Sequence, residues 1–192
     1  MDETPIEITL KVISILDSLG VRYFIGGSIA SSLYGNARST LDSDVVAELD
    51  ITHVSPFVSA VQTDFYVDED AINAAIRNRS SFNLIHYKTA FKVDIFLPKN
   101  RAFEICEFEN RILRQPTSNT EQKAYFASAE DIVLAKLEWY RLGNEVSDRQ
   151  WSDISEIIKI QGKNLDLEYL RKLAIELKVS DLLERALETN RA

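Results

Sequence analysis

The sequence predicts an α+β fold, a small mixed sheet with flanking helices followed by a C-terminal helical bundle. Two observations lead to this prediction. Short apolar runs alternate with helical patterns as far as about residue 98, which is typical of a sheet with helices packed on it. From residue 128 onwards only helical patterns follow. We therefore predict a core domain at 1–120 and a helical region at 121–192.

The first half of the chain is predicted to begin with a helix at 5–18, where apolar residues recur at helical spacing and Gly20 supplies a stop. Further helices are predicted at 53–62 and 69–78. Pro56 is tolerable in the first of these because it falls in the first turn. Apolar runs predict strands at 21–25, 42–48, 65–67, 81–87 and 90–97, the last two as an antiparallel pair.

The second half begins with a segment at 102–109 that fits either a short helix or a strand, followed by a strand at 111–115. The composition of 116–120 indicates a turn or linker. A helix is then predicted to start after the capping residue Ser128 and to end at Gly143. Three more helical patterns follow at 147–160, 167–177 and 180–189.

The composition is that of an ordinary globular protein. Of the 192 residues, 45% are hydrophobic, which is enough for a core. A net charge of −8 argues against general affinity for nucleic acid, which depends on Lys and Arg contacts to phosphate. The single Cys106 excludes an internal disulfide framework, and the spacing of His53 and His86 predicts no zinc site.

We expect a cytoplasmic protein with no membrane association. The first residues lack the basic region of a signal peptide. No apolar run approaches the ~20 residues that a membrane span needs.

The most informative motif is Gly26-Gly27-Ser28, which follows the first predicted strand and opens a predicted helix at 28–34. Two glycines let the backbone turn tightly and approach a ligand closely. A helix N-terminus presents unpaired N–H groups and a partial positive charge, which favour an anion. The motif therefore indicates a phosphate-binding turn, although an ordinary tight turn would use the same glycines.

Asp42 and Asp44 follow at short range, one residue apart. On a strand this spacing directs both carboxylates to one face, where they can share a hard cation. Mg²⁺ prefers a few carboxylates together with substrate phosphates, although acidic pairs are also common in solvated turns. Arg38 fits either a phosphate ligand or a group that neutralises the acidic pair in the absence of metal.

Asp94 is the candidate third carboxylate, because it interrupts the apolar run at 91–97 on the face opposite the apolar side chains. A charge in such a strand is costly unless it is paired or metal-bound. Two-metal phosphoryl chemistry needs ligands for both ions and a group that receives a proton. We expect Asp94 to serve as the third ligand, and an ion pair with Lys92 is the alternative.

Together these motifs resemble the DNA polymerase β-like nucleotidyltransferase superfamily, and within it the bacterial minimal nucleotidyltransferases and the AbiEii-type toxins. The resemblance covers the first half of the chain, and the second half in outline. It implies the nucleotidyltransferase fold, nucleoside triphosphate such as ATP as substrate, and Mg²⁺ or Mn²⁺ as cofactor. The site residues that it implies are Asp42, Asp44 and Asp94 for catalysis and metal, and Gly26, Gly27, Ser28 and Arg38 for the nucleotide.

The helical half carries a second match to the AbiEii-type pattern, in the segments 129–136 and 148–154. In that pattern a helical Lys and a later Asp complete the nucleotide pocket, which implies Lys136 at a phosphate and Asp153 beside it or beside a base. Lys136 also fits a residue that extends from a core helix to solvent, and Arg149 with Asp153 fits a plain helix-surface pair.

Two functions are compatible with these residues. The first is a metal-dependent nucleotidyltransferase that moves a nucleoside monophosphate to a hydroxyl of a small molecule, a protein or an RNA end, releasing pyrophosphate. The alternative is a nucleotide-binding regulatory or toxin–antitoxin component of the same fold without transfer activity. A partner protein or a homo-oligomer is compatible with either. Retention of three carboxylates favours the enzyme, since clustered like charges are costly to keep.

Overall fold

A computed structural model describes residues 3–36, 40–117 and 120–190. The strands in these residues form one mixed sheet in the order β3-β4-β5-β2-β1-β7-β6. The pairs β2–β5 and β1–β7 are parallel, and the other neighbours are antiparallel. The strands are β1 Tyr23–Ile25, β2 Asp42–Ala47, β3 Phe65–Tyr66, β4 Ser81–His86, β5 Lys92–Phe96, β6 Ile112–Arg114 and β7 Ala124–Phe126.

Helices flank the sheet and form the C-terminal part of the described chain. The last four contact one another as a bundle, as the sequence predicted. Two short 3-10 helices lie at Ile51–His53 and Gly162–Asn164. The α-helices are α1 Pro5–Ser18, α2 Gly27–Ser31, α3 Val54–Val61, α4 Glu69–Asn78, α5 Ala102–Asn110, α6 Ala129–Leu142, α7 Asp148–Gln161, α8 Leu167–Glu176 and α9 Ser180–Thr189.

Local capping explains where the predicted helices begin and end. Thr4 and Glu7 form a capping box at the start of α1. Gly20 lies just beyond the end of α1 with a φ of +69°, the left-handed region that glycine favours. Ser128 Oγ accepts a hydrogen bond from the backbone N–H of Asp131 at the start of α6, and Gly143 caps its end. These predicted boundaries are confirmed.

Strand β2 has the predicted two-residue alternation, which decides what each face of the sheet does. Ser43, Val45 and Ala47 are buried on one face, whereas Asp42, Asp44 and Val46 are half-buried on the other. Strand β5 alternates in the same way, and Asp94 lies beside Asp44 in the parallel register. The sheet therefore places all three predicted carboxylates on one face.

The structure also differs from the sequence prediction. The segment that fitted a helix or a strand is the helix α5, and α2 ends at Ser31 because turns follow it. Strand β7 was not predicted, yet it joins the sheet through the backbone pair of Ile25 with Phe126. It follows the predicted domain boundary at 120, which stays a prediction. Ser118 and Asn119 of the predicted linker lie outside the described residues.

Candidate active site

A cavity of about 570 Å³ lies between the acidic face of the sheet and helices α5, α6 and α7. Its volume falls within the range of small-molecule binding sites. The structure brings seven of the predicted site residues to the cavity wall: Gly26, Gly27, Ser28, Asp42, Asp44, Lys136 and Asp153. Residues that are far apart in the sequence thus converge on one cavity.

The glycine turn is in direct contact with the acidic pair. The backbone N–H of Gly26 donates a hydrogen bond of 2.8 Å to the carbonyl of Asp44. Gly27 has a φ of +53°, and a Cβ at this position would lie 1.7 Å from Asp44 Oδ2. Both conformation and space therefore require glycine. An ordinary tight turn would explain the positive φ of Gly27, but it would not explain the lack of space for a Cβ beside Asp44.

The environment of Asp42 and Asp44 is strongly negative. The Thr40 hydroxyl donates a 3.0 Å hydrogen bond to Asp42 Oδ1, which fixes that carboxylate. Burial, reinforced by the nearby charges of Asp42 and Asp94, raises the pKa of Asp44 to about 6. Keeping Asp44 ionised therefore costs free energy in the free protein, and a cation bound beside it would offset that cost.

Asp94 lies beside Asp44, but its immediate partner is Lys92, whose Nζ is 2.7 Å from Asp94 Oδ2. Asp94 is not one of the residues that line the cavity. Within residues 3–36, 40–117 and 120–190, no three acidic, histidine or cysteine side chains are arranged so that they could hold a metal ion. The ion pair that the sequence left as an alternative is thus present, and the role of Asp94 as third ligand stays a prediction.

The two carboxylates of β2 nevertheless fit a divalent cation. Their oxygens are hard donors, and Mg²⁺ characteristically takes one or two protein carboxylates and completes its shell with water and substrate phosphates. Burial and the neighbouring carboxylates of Asp42 and Asp94 together raise the pKa of Asp44, so a cation bound there would stabilise its ionised form. A preassembled cluster of three ligands is therefore not required.

Lys136 of α6 and Asp153 of α7 form an ion pair of 2.8 Å in the cavity wall. Both side chains are only 11% exposed, so Lys136 does not extend to solvent. Arg149 lines the same cavity. The second predicted motif thus lines the same cavity as the glycine turn, and Asp153 also shares a small neighbouring pocket with Ser28. Arg38, the remaining predicted nucleotide ligand, lies outside the described residues.

The cavity also has an acidic end that sequence analysis missed. Glu104 and Glu107 come from α5, and Asp131 and Glu138 come from α6. Arg101 binds two of them, through hydrogen bonds of 2.8 Å to Glu104 and 3.1 Å to Glu138. The two glutamates of α5 lie three residues apart, which places them on one face of a helix. The signal was hidden because this segment fitted a strand equally well.

Aromatic side chains line the same cavity. Phe24 and Phe103 are buried, and Phe96 meets the ring of Trp139 edge-on with centroids 6.5 Å apart. Trp139 is 54% exposed, so its ring is accessible at the cavity wall. Tyr140 packs on Trp151 instead, at 5.3 Å.

The sheet and its helices have the fold of solved nucleotidyltransferase-like proteins, as the resemblance implied. The antigenic nucleotidyltransferase-like protein from Paracoccidioides brasiliensis is similar over 94% of this chain and 91% of its own, with 20% identity and a TM-score of 0.53. The antibiotic-resistance factor ANT(2'')-Ia is similar over 96% and 98%, with 13% identity and a TM-score of 0.58. The lincomycin-bound lincosamide antibiotic adenylyltransferase LnuA is similar over 83% and 99%, with 16% identity and a TM-score of 0.50.

At these identities the likeness is one of fold. The sequence matches no protein-family model and no curated protein. The AbiEii-type likeness therefore stays a prediction. In the part of the chain that the structure describes, no helix has the length and apolar character needed to cross a membrane.

Proposed function

We propose that this protein transfers a nucleoside monophosphate from a nucleoside triphosphate to a hydroxyl acceptor, with a divalent cation as cofactor. The observation that carries the proposal is the contact between Gly27 and Asp44, where a Cβ would lie 1.7 Å from the carboxylate. This contact places a turn suited to phosphate directly against carboxylates suited to Mg²⁺. A purely structural turn has no need of such a contact.

Asp42 and Asp44 would hold the cation, Mg²⁺ or Mn²⁺. When bound, the cation neutralises charge on the triphosphate and on the leaving pyrophosphate. The carboxylates alone would repel the triphosphate, so we expect nucleotide binding to depend on metal.

The remaining residues position the reactants. Gly26, Gly27 and Ser28 border the space for the triphosphate, and Lys136 exchanges Asp153 for a phosphate oxygen. The acceptor oxygen forms a bond to the α-phosphorus while the bond from that phosphorus to the bridging oxygen breaks and pyrophosphate leaves. Asp94 is the proposed acceptor of the hydroxyl proton, after Lys92 has moved from it.

A small molecule is the acceptor that we favour over an RNA end. The lincosamide antibiotic adenylyltransferase LnuA binds lincomycin, a small molecule, on a similar fold. The net charge of −8 also disfavours an RNA partner.

The test incubates the purified protein with each α-labelled nucleoside triphosphate, Mg²⁺ and cell extract, and then finds where the label goes. We expect one labelled product that is lost in Asp44→Asn and retained in the control Glu48→Gln. Glu48 lies just beyond β2, pairs with Arg22 and does not line the cavity. Transfer by Asp44→Asn at the rate of the unmodified protein would contradict the proposal.

The second candidate is a nucleotide-binding regulatory or toxin–antitoxin component of the same fold. The ion pair of Lys92 with Asp94 favours it, because it occupies the carboxylate proposed to take the proton. This protein would bind a triphosphate and transfer nothing to any component of the extract. Asp94→Asn would then leave every measured property of nucleotide binding unchanged.

A further inference from the structure

The two ends of the cavity differ in charge. Glu104, Asp131 and Glu138 lie close enough to Glu107 for their charges to act on it, and these four residues define the α5–α6 end of the cavity. Lys136 acts instead on Asp44, which lies against the glycine turn. Arg101 offsets part of this negative charge, and Lys99 is exposed at the rim. Four carboxyl groups thus face two cations, so the α5–α6 end is acidic and disfavours a phosphate.

Glu107 is the residue that points to a ligand. It lines the cavity, and it is only 7% exposed. No hydrogen bond or ion pair joins its carboxyl group to another described residue, whereas Glu104, Asp131 and Glu138 each have a partner. Burial, reinforced by neighbouring carboxylates, raises its pKa well above the ordinary range. Burying an ionised carboxyl group without a partner costs free energy, and a cationic ligand that pairs with it would offset that cost.

The walls around Glu107 suit an ammonium group. Phe24, Phe103 and Trp139 supply aromatic surface to the same cavity, and the last two are sequence neighbours of Glu104 and Glu138. A cation over an aromatic ring is attracted by the negative charge of the ring face, most strongly for Trp. Carboxylate and aromatic surface together recognise protonated amines, whereas an anion is repelled by the carboxylate.

We propose that the α5–α6 end of the cavity binds the acceptor through a protonated amine that pairs with Glu107, so that the acceptor is an amine-bearing alcohol. The inference rests on the proposed nucleotidyl transfer and names its acceptor class. The amine anchors the acceptor and keeps its proton. The neighbouring hydroxyl forms the bond to the α-phosphorus, pyrophosphate leaves, and the hydroxyl proton goes to a carboxylate.

The test compares two probes of the same skeleton, 1,3-diaminopropan-2-ol and glycerol, by calorimetry at pH 7.5 without nucleotide. About 0.15 M salt suppresses attraction to the surface charge. We expect the diamine to bind at least about tenfold more tightly than glycerol, and Glu107→Gln to remove this preference. Glu109→Gln is the matched control, because Glu109 is exposed on the same helix and does not line the cavity. It should leave both affinities unchanged.

Equal affinity for the two probes would overturn the inference, as would a preference that survives in Glu107→Gln. Should Glu107→Gln fail to fold, Trp139→Ala decides, since Trp139 is half-exposed and its loss spares the core. We expect this variant to bind the diamine about fivefold more weakly. Unchanged affinity would refute an amine at this wall.

Adding ATP and Mg²⁺ separates the inference from the function on which it rests. Glu107-dependent binding of the diamine without a nucleotidylated product would overturn the transfer proposal and leave the amine subsite standing. A labelled product formed only on neutral acceptors, at a rate that Glu107→Gln does not change, would overturn the amine subsite and leave the transfer proposal standing. Mass spectrometry of the product locates the new phosphodiester on the hydroxyl.

Discussion

Replacing Asp44 by Asn should stabilise the metal-free protein, although it removes a residue at the centre of the proposed site. Asp44 is largely buried beside Asp42 and Asp94, and these surroundings raise its pKa to about 6 from an ordinary value of 3.8. The ionised carboxylate is therefore a source of instability at neutral pH. Asn keeps the shape of the side chain without the charge.

The size of the effect follows from proton linkage. A shift of roughly two pKa units corresponds to about 3 kcal/mol at 1.36 kcal/mol per unit. Because the pKa is higher in the folded state, the folded protein binds more protons between pH 4 and 6, and this group lowers stability as pH rises through that window. The penalty is fully present above pH 7. Below pH 4 it is absent.

Urea denaturation with EDTA present, at pH 7.5 and at pH 4, measures the effect directly. We expect the free energy of unfolding of Asp44→Asn to exceed that of the unmodified protein by up to about 3 kcal/mol at pH 7.5 and by less than about 1 kcal/mol at pH 4. Asp153→Asn is the comparison, because it removes the ion pair between Asp153 and the nearly buried Lys136. We expect this variant to lose about 3 kcal/mol of unfolding free energy at pH 7.5. Destabilisation by Asp44→Asn at pH 7.5 would refute the reasoning and mark Asp44 as a structural partner.

Four further predictions concern ligands and the glycine turn. Mg²⁺ or Mn²⁺ should raise the affinity for ATP in calorimetry, and Asp44→Asn should remove this gain; equal affinity with and without metal would count against the site. Lys136→Ala should weaken ATP binding about tenfold. Asp94→Asn should abolish turnover while ATP binding stays within about twofold, a split that steady-state kinetics and calorimetry together resolve. Gly27→Ala should lower the free energy of unfolding by more than about 2 kcal/mol. Gly20 has a similar φ, but a Cβ there would meet no atom within 4 Å, so Gly20→Ala should lower it by only about 1 kcal/mol in the same melts.

The features that the sequence predicts well are those set by local periodicity. Alternation along β2 places Asp42 and Asp44 on one face whatever surrounds them, and the structure confirms this placement. The turn at Gly27 is equally local, because a positive φ restricts the residue type. The convergence of Lys136 on the same cavity came instead from the resemblance to a known pattern, since residue spacing alone cannot place a C-terminal helix against a sheet.

The features that sequence analysis missed depend on long-range packing. Strand β7 has three residues, too few for a periodic signal, and it is a strand because β1 offers it an edge. The burial of Glu107 depends on how α5 lies over the sheet, which no local pattern specifies. Whether Asp94 pairs with Lys92 or binds a metal likewise depends on distances between side chains, which cannot be read from the sequence.

Arg101 gives the acidic end of the cavity a fixed width. Its guanidinium reaches Glu104 on α5 and Glu138 on α6 at once, so one planar group sets the spacing of the two helices. It also follows closely after β5, the strand that carries Asp94. Arg101 therefore keeps an acceptor bound between α5 and α6 at a fixed distance from the end of the sheet that carries Asp94. We expect the site to distinguish acceptors that differ by one bond in the distance between amine and hydroxyl.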